Sequence, residues 1–141
     1  MDEETKAVTE VAKTVGKVID TTSQLGQFIG KYLEGPLEQA SGIINDKLSY
    51  LRWERSRRLM DRRDEFLRQR CLIEPTRSVP MSILVPILQF GSMEEDNNLQ
   101  DLWVQLLVTA GDANTGIVVE PAFIGILQNL SSRDAIILDR L

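Results

Sequence analysis

An arginine-rich stretch between residues 47 and 70 most constrains the fold, because it has neither proline nor glycine and consists largely of good helix formers. At about 100° per residue, one face of a helix spanning this region is apolar. That face comprises Leu37, Ala40, Ile44, Leu48, Leu51, Leu59 and Phe66. Arg55, Arg58 and Arg62 fall on the same face. We therefore expect a helix that carries guanidinium groups on its packing side, with acidic groups packed against them.

A break at residues 34–36, Glu-Gly-Pro, separates this helix from an earlier one. Gly35 can leave the helical region, and Pro36 suits the first turn of a new helix. The second helix is predicted to run from residue 36 to residue 70, roughly 50 Å at 1.5 Å per residue. A short connection between two long helices favours an antiparallel pair. We therefore assign residues 1–73 to a long helical hairpin.

The first helix is predicted from about residue 5 to residue 33, where apolar residues recur at intervals of three and four. The proposed contact residues are Val8, Val11, Val15, Val18, Leu25 and Ile29. Uncharged residues flank this stripe where a two-stranded coiled coil would carry interhelical charges. The wide uncharged face predicts packing against several helices and self-association of the chain. It would also suit a membrane interface, which is the alternative.

A smaller, compact helical unit is predicted over residues 74–141. It begins with a linker at 74–78 and a short apolar helix from 81 to 90, in which Pro86 should cause a kink or a restart. Residues 116–119 are the only strand candidate. The last predicted helix reaches Leu141 without a cap, and we therefore expect a chain that continues further in its natural form.

Two capping boxes are predicted in this unit, each placing a serine three residues before an acidic residue. Ser92 pairs with Glu95 in the first, and Ser131 pairs with Asp134 in the second. The spacing predicts that a new helix begins immediately after each serine. Trp53 and Trp103 each lie beside an apolar helix stripe, so both are expected to be buried.

The composition excludes several kinds of chemistry. The chain has no histidine, and Cys71 is its only cysteine, which excludes a Cys–His nucleophile, an internal disulfide and a cysteine cluster for zinc. The net charge is −5, with an acidic block formed by Glu94, Glu95, Asp96 and Asp101. We interpret this block as helix first-turn charge and as partners of arginine rather than as metal ligands, because no second carboxylate motif supports a site. No catalytic residue, metal or cofactor is predicted.

The location expected for the chain is the cytoplasm. No apolar run approaches the ~20 residues of a membrane span, and the acidic N-terminal sequence is unlike a signal peptide. A single free thiol fits a reducing compartment. Peripheral association with a membrane, through the first helix, is the alternative.

Three stretches of the sequence, residues 35–62, 75–112 and 127–141, resemble the Abortive infection alpha family. The most specific parts are YLRWER at 50–55 and EED at 94–96 followed by LQDLW at 99–103. The resemblance extends from about residue 5 to the end. It implies an all-helical bacterial cytosolic protein linked to phage defence, and it carries no catalytic residues.

The sequence therefore predicts an all-α protein with a long N-terminal helical hairpin followed by a compact C-terminal helical unit. The leading hypothesis for function is a non-enzymatic component of antiphage abortive infection, which works as a homo-oligomer and binds a protein partner. One alternative is a nucleic-acid-binding module that uses the arginine helix, although interleaved acidic residues and the overall acidity weaken it. The other is a membrane-acting effector that uses the first helix.

Overall fold

The computed structural model describes residues 24–48, 51, 53–72 and 74–140. Within these ranges, the side chains of residues 41, 53, 132, 135, 138 and 139 are not described. The described chain is all-helical, as predicted, and it contains no strand, including at residues 116–119. Its elements are α1 (Gln24–Gly30), α2 (Leu37–Leu48), α3 (Trp53–Gln69), α4 (Met81–Met93), α5 (Asn97–Ala110), a 3-10 helix (Ala113–Thr115), α6 (Pro121–Gln128) and α7 (Ser132–Asp139).

The centre of the fold is formed by α3, α4 and α5, which all pack against one another. Helices α1 and α2 contact each other and join this centre through α3 and α4, whereas α6 contacts α4 and α7 contacts α5. Helix α4 has neighbours on several sides. Its burial therefore extends to the side chains of Ile83, Leu84, Ile87 and Leu88. One hydrophobic cluster runs from Leu25 in α1 to Leu127 in α6, so helices of both predicted units contribute to a single core.

The predicted single helix from 36 to 70 is wrong, because the structure has two helices, α2 and α3, with an interruption at Leu51. The backbone N–H of Leu51 donates to the carbonyl of Leu48 at 3.0 Å, a tight turn at the end of α2. Leu48 and Leu51 both remain buried, so the predicted apolar face is kept across the interruption. Helix propensity did not indicate the break, because it reports local preference and not tertiary packing. Of the predicted first helix, residues 5–23 lie outside the described part.

The first predicted capping box is also wrong. Helix α4 continues through Ser92 to Met93, and Ser92 is buried. The next helix, α5, is capped instead by Asp96, whose Oδ1 accepts from the N–H of Leu99 at 2.9 Å. Serine and aspartate are both good N-cap residues, and burial of Ser92 within α4 favours the start at Asp96.

Pro86 lies inside α4 without interrupting it, so the predicted restart does not occur. The second capping box is confirmed at the start of α7. The N–H of Ser131 donates to Asp134 Oδ2 at 3.0 Å, and the N–H of Asp134 donates to Ser131 Oγ at 3.2 Å. The spacing predicted this start correctly because nothing buries Ser131.

The predicted linker at residues 74–78 is held firmly against the end of α5. The N–H groups of Thr76 and Arg77 donate to the carbonyl of Gly111 at 2.8 and 3.1 Å. The guanidinium of Arg77 donates to the last-turn carbonyls of Ala110 at 2.8 Å and Thr109 at 2.9 Å, and also to the carbonyl of Ile117. A cation at the C-terminus of a helix satisfies carbonyls that have no partner within the helix. This segment therefore fixes the connection between α3 and α4.

Candidate functional site

Two of the three arginines singled out on α3 form ion pairs with the acidic block. Arg55 Nη2 lies 3.1 Å from Glu95 Oε1. Arg62 contacts Asp101 Oδ1 through Nη2 at 2.8 Å and through Nε at 2.9 Å. These pairs join α3 to the α4–α5 connection and to the first turns of α5.

Arg58 binds the same connection through different atoms. Its Nη1 donates to the carbonyl of Glu94 at 2.5 Å, and its Nη2 donates to the carbonyl of Glu95 at 3.1 Å and to Asn97 Oδ1. Glu94 is the C-cap of α4, so Arg58 supplies donors to carbonyls at the end of that helix. The carboxylate of Glu94 accepts from the N–H of Asp96 at 3.0 Å. The acidic block therefore contributes backbone carbonyls as well as carboxylates.

The ion pairs of this cluster are partly exposed. The side chains of Arg55 and Glu95 are 41% and 78% exposed, and those of Arg62 and Asp101 are 29% and 48% exposed. Exposed pairs contribute little because water screens them and ordering two long side chains costs entropy. The cluster therefore sets how α3 and α5 dock more than it stabilises the fold. Within the described residues, no group of three acidic or cysteine side chains is arranged to hold a metal ion.

We expect a coupling free energy of about 0.5–1 kcal/mol between Arg62 and Asp101, the less exposed pair of the cluster. The measurement is a double-mutant cycle with Arg62→Ala and Asp101→Ala, followed by chemical denaturation. A second cycle with Arg57→Ala and Asp61→Ala provides a matched pair that lies within α3 itself. A coupling at or below that of the second cycle would mean that Arg62 does not tie α3 to α5.

The sequence did not indicate the most buried charge among the described residues, Arg63, whose side chain is only 2% exposed. Its Nη1 donates to Tyr32 Oη at 2.9 Å and to Glu74 Oε2 at 2.8 Å, and its Nη2 lies 2.7 Å from Asp64 Oδ1. The guanidinium also lies 4.7 Å from the ring centroid of Phe28, a cation–π contact. Arg63 therefore connects α1, α3 and the segment that follows α3.

The pKa values of Arg63 and Glu74 are both shifted in favour of their charged forms. Burial alone lowers the pKa of Arg63, but hydrogen bonds with Glu74, Tyr32 and Asp64 outweigh burial and raise it. Burial alone raises the pKa of Glu74, but the hydrogen bonds and positive charges of Arg63 and Lys31 outweigh burial and lower it. Burial raises the pKa of Tyr32, so its hydroxyl keeps its proton. The cluster is thus a fixed charged contact at neutral pH.

Acid should weaken this contact. Because the folded chain lowers the pKa of Glu74 below its ordinary value of 4.5, the pair is fully stabilising above that pH. Its contribution is lost as the pH falls through the folded-state pKa. We expect Glu74→Gln to lower the thermal unfolding midpoint at pH 7, and the difference from the parent to shrink toward zero in acid.

Glu120→Gln serves as the control, since Glu120 is exposed and forms no ion pair in the described part of the chain. Its unfolding midpoint should stay near that of the parent at pH 7. A Glu74→Gln difference that is as large in acid as at pH 7 would contradict the assignment of the effect to this carboxylate.

No local pattern indicated Arg63, because it lies off the predicted apolar face and has Arg62 beside it in sequence. Its burial results from the packing of α1, which brings Phe28 and Tyr32 over it. Trp103, by contrast, is buried as predicted, with 2% exposure. Trp53 begins α3, and its side chain is not among those described.

Two predicted self-association residues, Leu25 and Ile29, are buried in the chain's own core, with 2% and 0% exposure. They are therefore not available to a second copy of the folded chain, which corrects their assignment. Their stripe faces α2 and α3, and sequence periodicity does not distinguish an internal partner from an external one. Val8, Val11, Val15 and Val18 lie outside the described residues.

The structure thus defines an all-helical protein whose conspicuous charges join its own helices. The sequence model of the Abortive infection alpha family matches residues 54–141, more than half of the chain. The chain belongs to this family, which implies a role in abortive infection, a form of phage defence. The match begins at Glu54, so the earlier part of the resemblance lies outside it. No curated protein and no solved structure matches the chain. Among the described residues, no helix is long and apolar enough to cross a membrane.

Proposed function

We propose that the chain is a non-enzymatic component of abortive infection that acts by self-association and by binding a protein partner in the bacterial cytoplasm. The observation that carries this proposal concerns the apolar stripe of the first predicted helix, of which α1 is the described part. Leu25 and Ile29 pack inside the chain, whereas the same apolar spacing continues upstream in the sequence for four more positions. In this proposal, a second copy of the chain packs against those positions, Val8, Val11, Val15 and Val18.

This proposal includes no enzymatic role because of the chemistry of the side chains. The chain has no histidine that could activate its one cysteine, Cys71, and Glu95 and Asp101 are used in contacts between helices. Arg55 and Arg58 contact the α4–α5 connection, and Arg62 contacts the first turns of α5. These contacts leave fewer free guanidinium groups for phosphates, so they favour a protein partner over nucleic acid.

The experiment is sedimentation equilibrium of the full chain at micromolar concentration, with Val15→Asp as the test variant. We expect the parent to associate and Val15→Asp to associate at least about tenfold more weakly, because burial of an unpaired carboxylate is costly. Gln27→Asp makes the same change of charge at an exposed position of α1 and should leave association unchanged. A folded parent that is monomeric under these conditions would contradict the proposal.

A further inference from the structure

Residues 117–119, between the 3-10 helix and α6, are three consecutive β-branched residues that lie in neither a helix nor a strand. Ile117 and Val119 line an apolar groove together with residues of α5 and α6, whereas Val118 does not line it and is 70% exposed. This alternation is that of a β-strand, in which successive side chains point to opposite faces. The next residue, Glu120, has extended dihedral angles of φ −103° and ψ 158°. The segment therefore resembles a strand that has no neighbouring strand in the described part of the chain.

The backbone of this segment has one edge turned toward the chain and one turned away from it. The N–H of Ile117 donates to Thr115 Oγ1 at 3.1 Å, and its carbonyl accepts from the guanidinium of Arg77. In an extended chain the N–H and carbonyl of the next residue point the opposite way, so those of Val118 point outward. They form no hydrogen bond with any group that the structure describes. An edge with an unpaired donor and acceptor beside apolar side chains is a template for pairing with another strand.

This outward edge is complementary to a second copy of itself. Two Val118 residues related by a two-fold axis can each donate an N–H to the carbonyl of the other, as in the hydrogen-bonded pair of an antiparallel ladder. In this register Ile117 lies opposite Val119 of the second copy, so β-branched side chains meet across the axis. The segment cannot pair with itself within one chain, so this contact requires a second copy.

The charges at the two ends of the segment favour the antiparallel arrangement. At one end, Arg77 donates only to carbonyl oxygens among the described groups, those of residues 109, 110 and 117. At the other end, Glu120 is exposed and takes no part in the ion pairs of the described residues. Antiparallel pairing places Glu120 opposite Gly116 of the second copy, at the end that Arg77 contacts. Parallel pairing in register would instead bring two Glu120 carboxylates together, which is unfavourable.

We propose that residues 117–119 of two copies of the chain pair as antiparallel strands about a two-fold axis at Val118. This contact is separate from the one proposed for the first helix, so either can fail without the other. The paired segment is short, because Gly116 is left-handed, with φ 67°, and α6 begins at Pro121. A two-stranded ladder of this length is weak by itself. Its detection therefore needs an assay that reports the register directly.

The first test is a disulfide cross-link in the full chain carrying Cys71→Ser, so that the introduced cysteine is the only thiol. In the proposed register the two Cα atoms at position 118 are about 5.5 Å apart, which a disulfide can span. Those at position 117 are roughly 8 Å apart, which is too far. Under mild oxidation, we expect Val118→Cys to form dimers at least about tenfold faster than Ile117→Cys or Ile43→Cys. The three parent side chains are 70%, 51% and 56% exposed, so accessibility alone does not produce this difference.

The second test uses a synthetic peptide with the sequence of residues 114–122, which requires no variant to fold. An excess of this peptide should slow cross-linking of the Val118→Cys chain several-fold, because it occupies the same edge. The matched control is the same peptide with a methyl group on the backbone nitrogen of Val118. It keeps every side chain but cannot donate the central hydrogen bond, so it should leave the rate of cross-linking unchanged.

The outcomes separate this contact from the one proposed for the first helix. Equal rates of cross-linking at positions 43, 117 and 118, in a parent that self-associates, overturn the strand pairing and leave the first-helix contact standing. Equal inhibition by the two peptides also overturns the pairing, because it shows that the N–H of Val118 is not used. Selective cross-linking at position 118 supports the pairing, even where Val15→Asp leaves association of the parent unchanged and so contradicts the first-helix contact.

Discussion

Replacement of Arg63 by alanine is expected to lower the free energy of unfolding by about 3 kcal/mol. The change removes a side chain that is 2% exposed and that donates to Tyr32 and Glu74. The buried hydroxyl of Tyr32 loses a charged donor, and the cation–π contact with Phe28 is lost as well. Arginine is suited to this position because its planar group donates to several partners at once while lying over an aromatic ring.

The measurement is urea denaturation at neutral pH, with Arg68→Ala as the control. Arg68 is on the same helix, its side chain is 77% exposed, and it pairs with Glu65, so its loss should cost no more than about 1 kcal/mol. Arg63→Lys should fall between the two, because it keeps the charge but loses the planar set of donors. A cost below about 1 kcal/mol for Arg63→Ala would mean that α1 is not held to α3 through this residue.

Replacement of Trp103 by alanine is expected to cost about 3–5 kcal/mol. Trp103 is 2% exposed on α5, and its ring stacks with Phe90 at a centroid distance of 6.1 Å. A Cβ placed on Gly91 of α4 would lie 3.1 Å from the Cβ of Trp103, so the two helices approach closely at this point. The cavity left by the indole would therefore be bounded by backbone, which collapses poorly.

Met93→Ala is the comparison for this prediction, since Met93 is 53% exposed on α4 and should cost about 0.5 kcal/mol or less. Trp103→Phe should recover part of the loss, because it refills part of the space. Denaturation should be monitored by circular dichroism, so that the measured unfolding curve does not depend on tryptophan fluorescence. A loss for Trp103→Ala equal to that of Met93→Ala would show that the α4–α5 contact is not a packed core.

Local features of the chain were predicted well where neighbouring residues decide the outcome. The capping box of Ser131 and Asp134 forms as its spacing predicts, because both partners lie within one turn of the same helix. Five residues of the predicted apolar face, Leu37, Ile44, Leu48, Leu51 and Leu59, are buried, although the face is divided between two helices. The same spacing at Ser92 failed, since burial of that serine extended α4 past it.

By itself the sequence determined the all-helical class, the family and the face of α3 that carries Arg55, Arg58 and Arg62. These follow from periodicity and residue type, which act over a few residues along the chain. Only the tertiary structure decided that Arg63 is buried and that Glu74 is its partner across the chain. It also decided that Leu25 and Ile29 are used internally and that Phe123 and Ile126 remain open on α6. Burial depends on which helices meet, and a one-dimensional pattern specifies an apolar face without specifying what covers it.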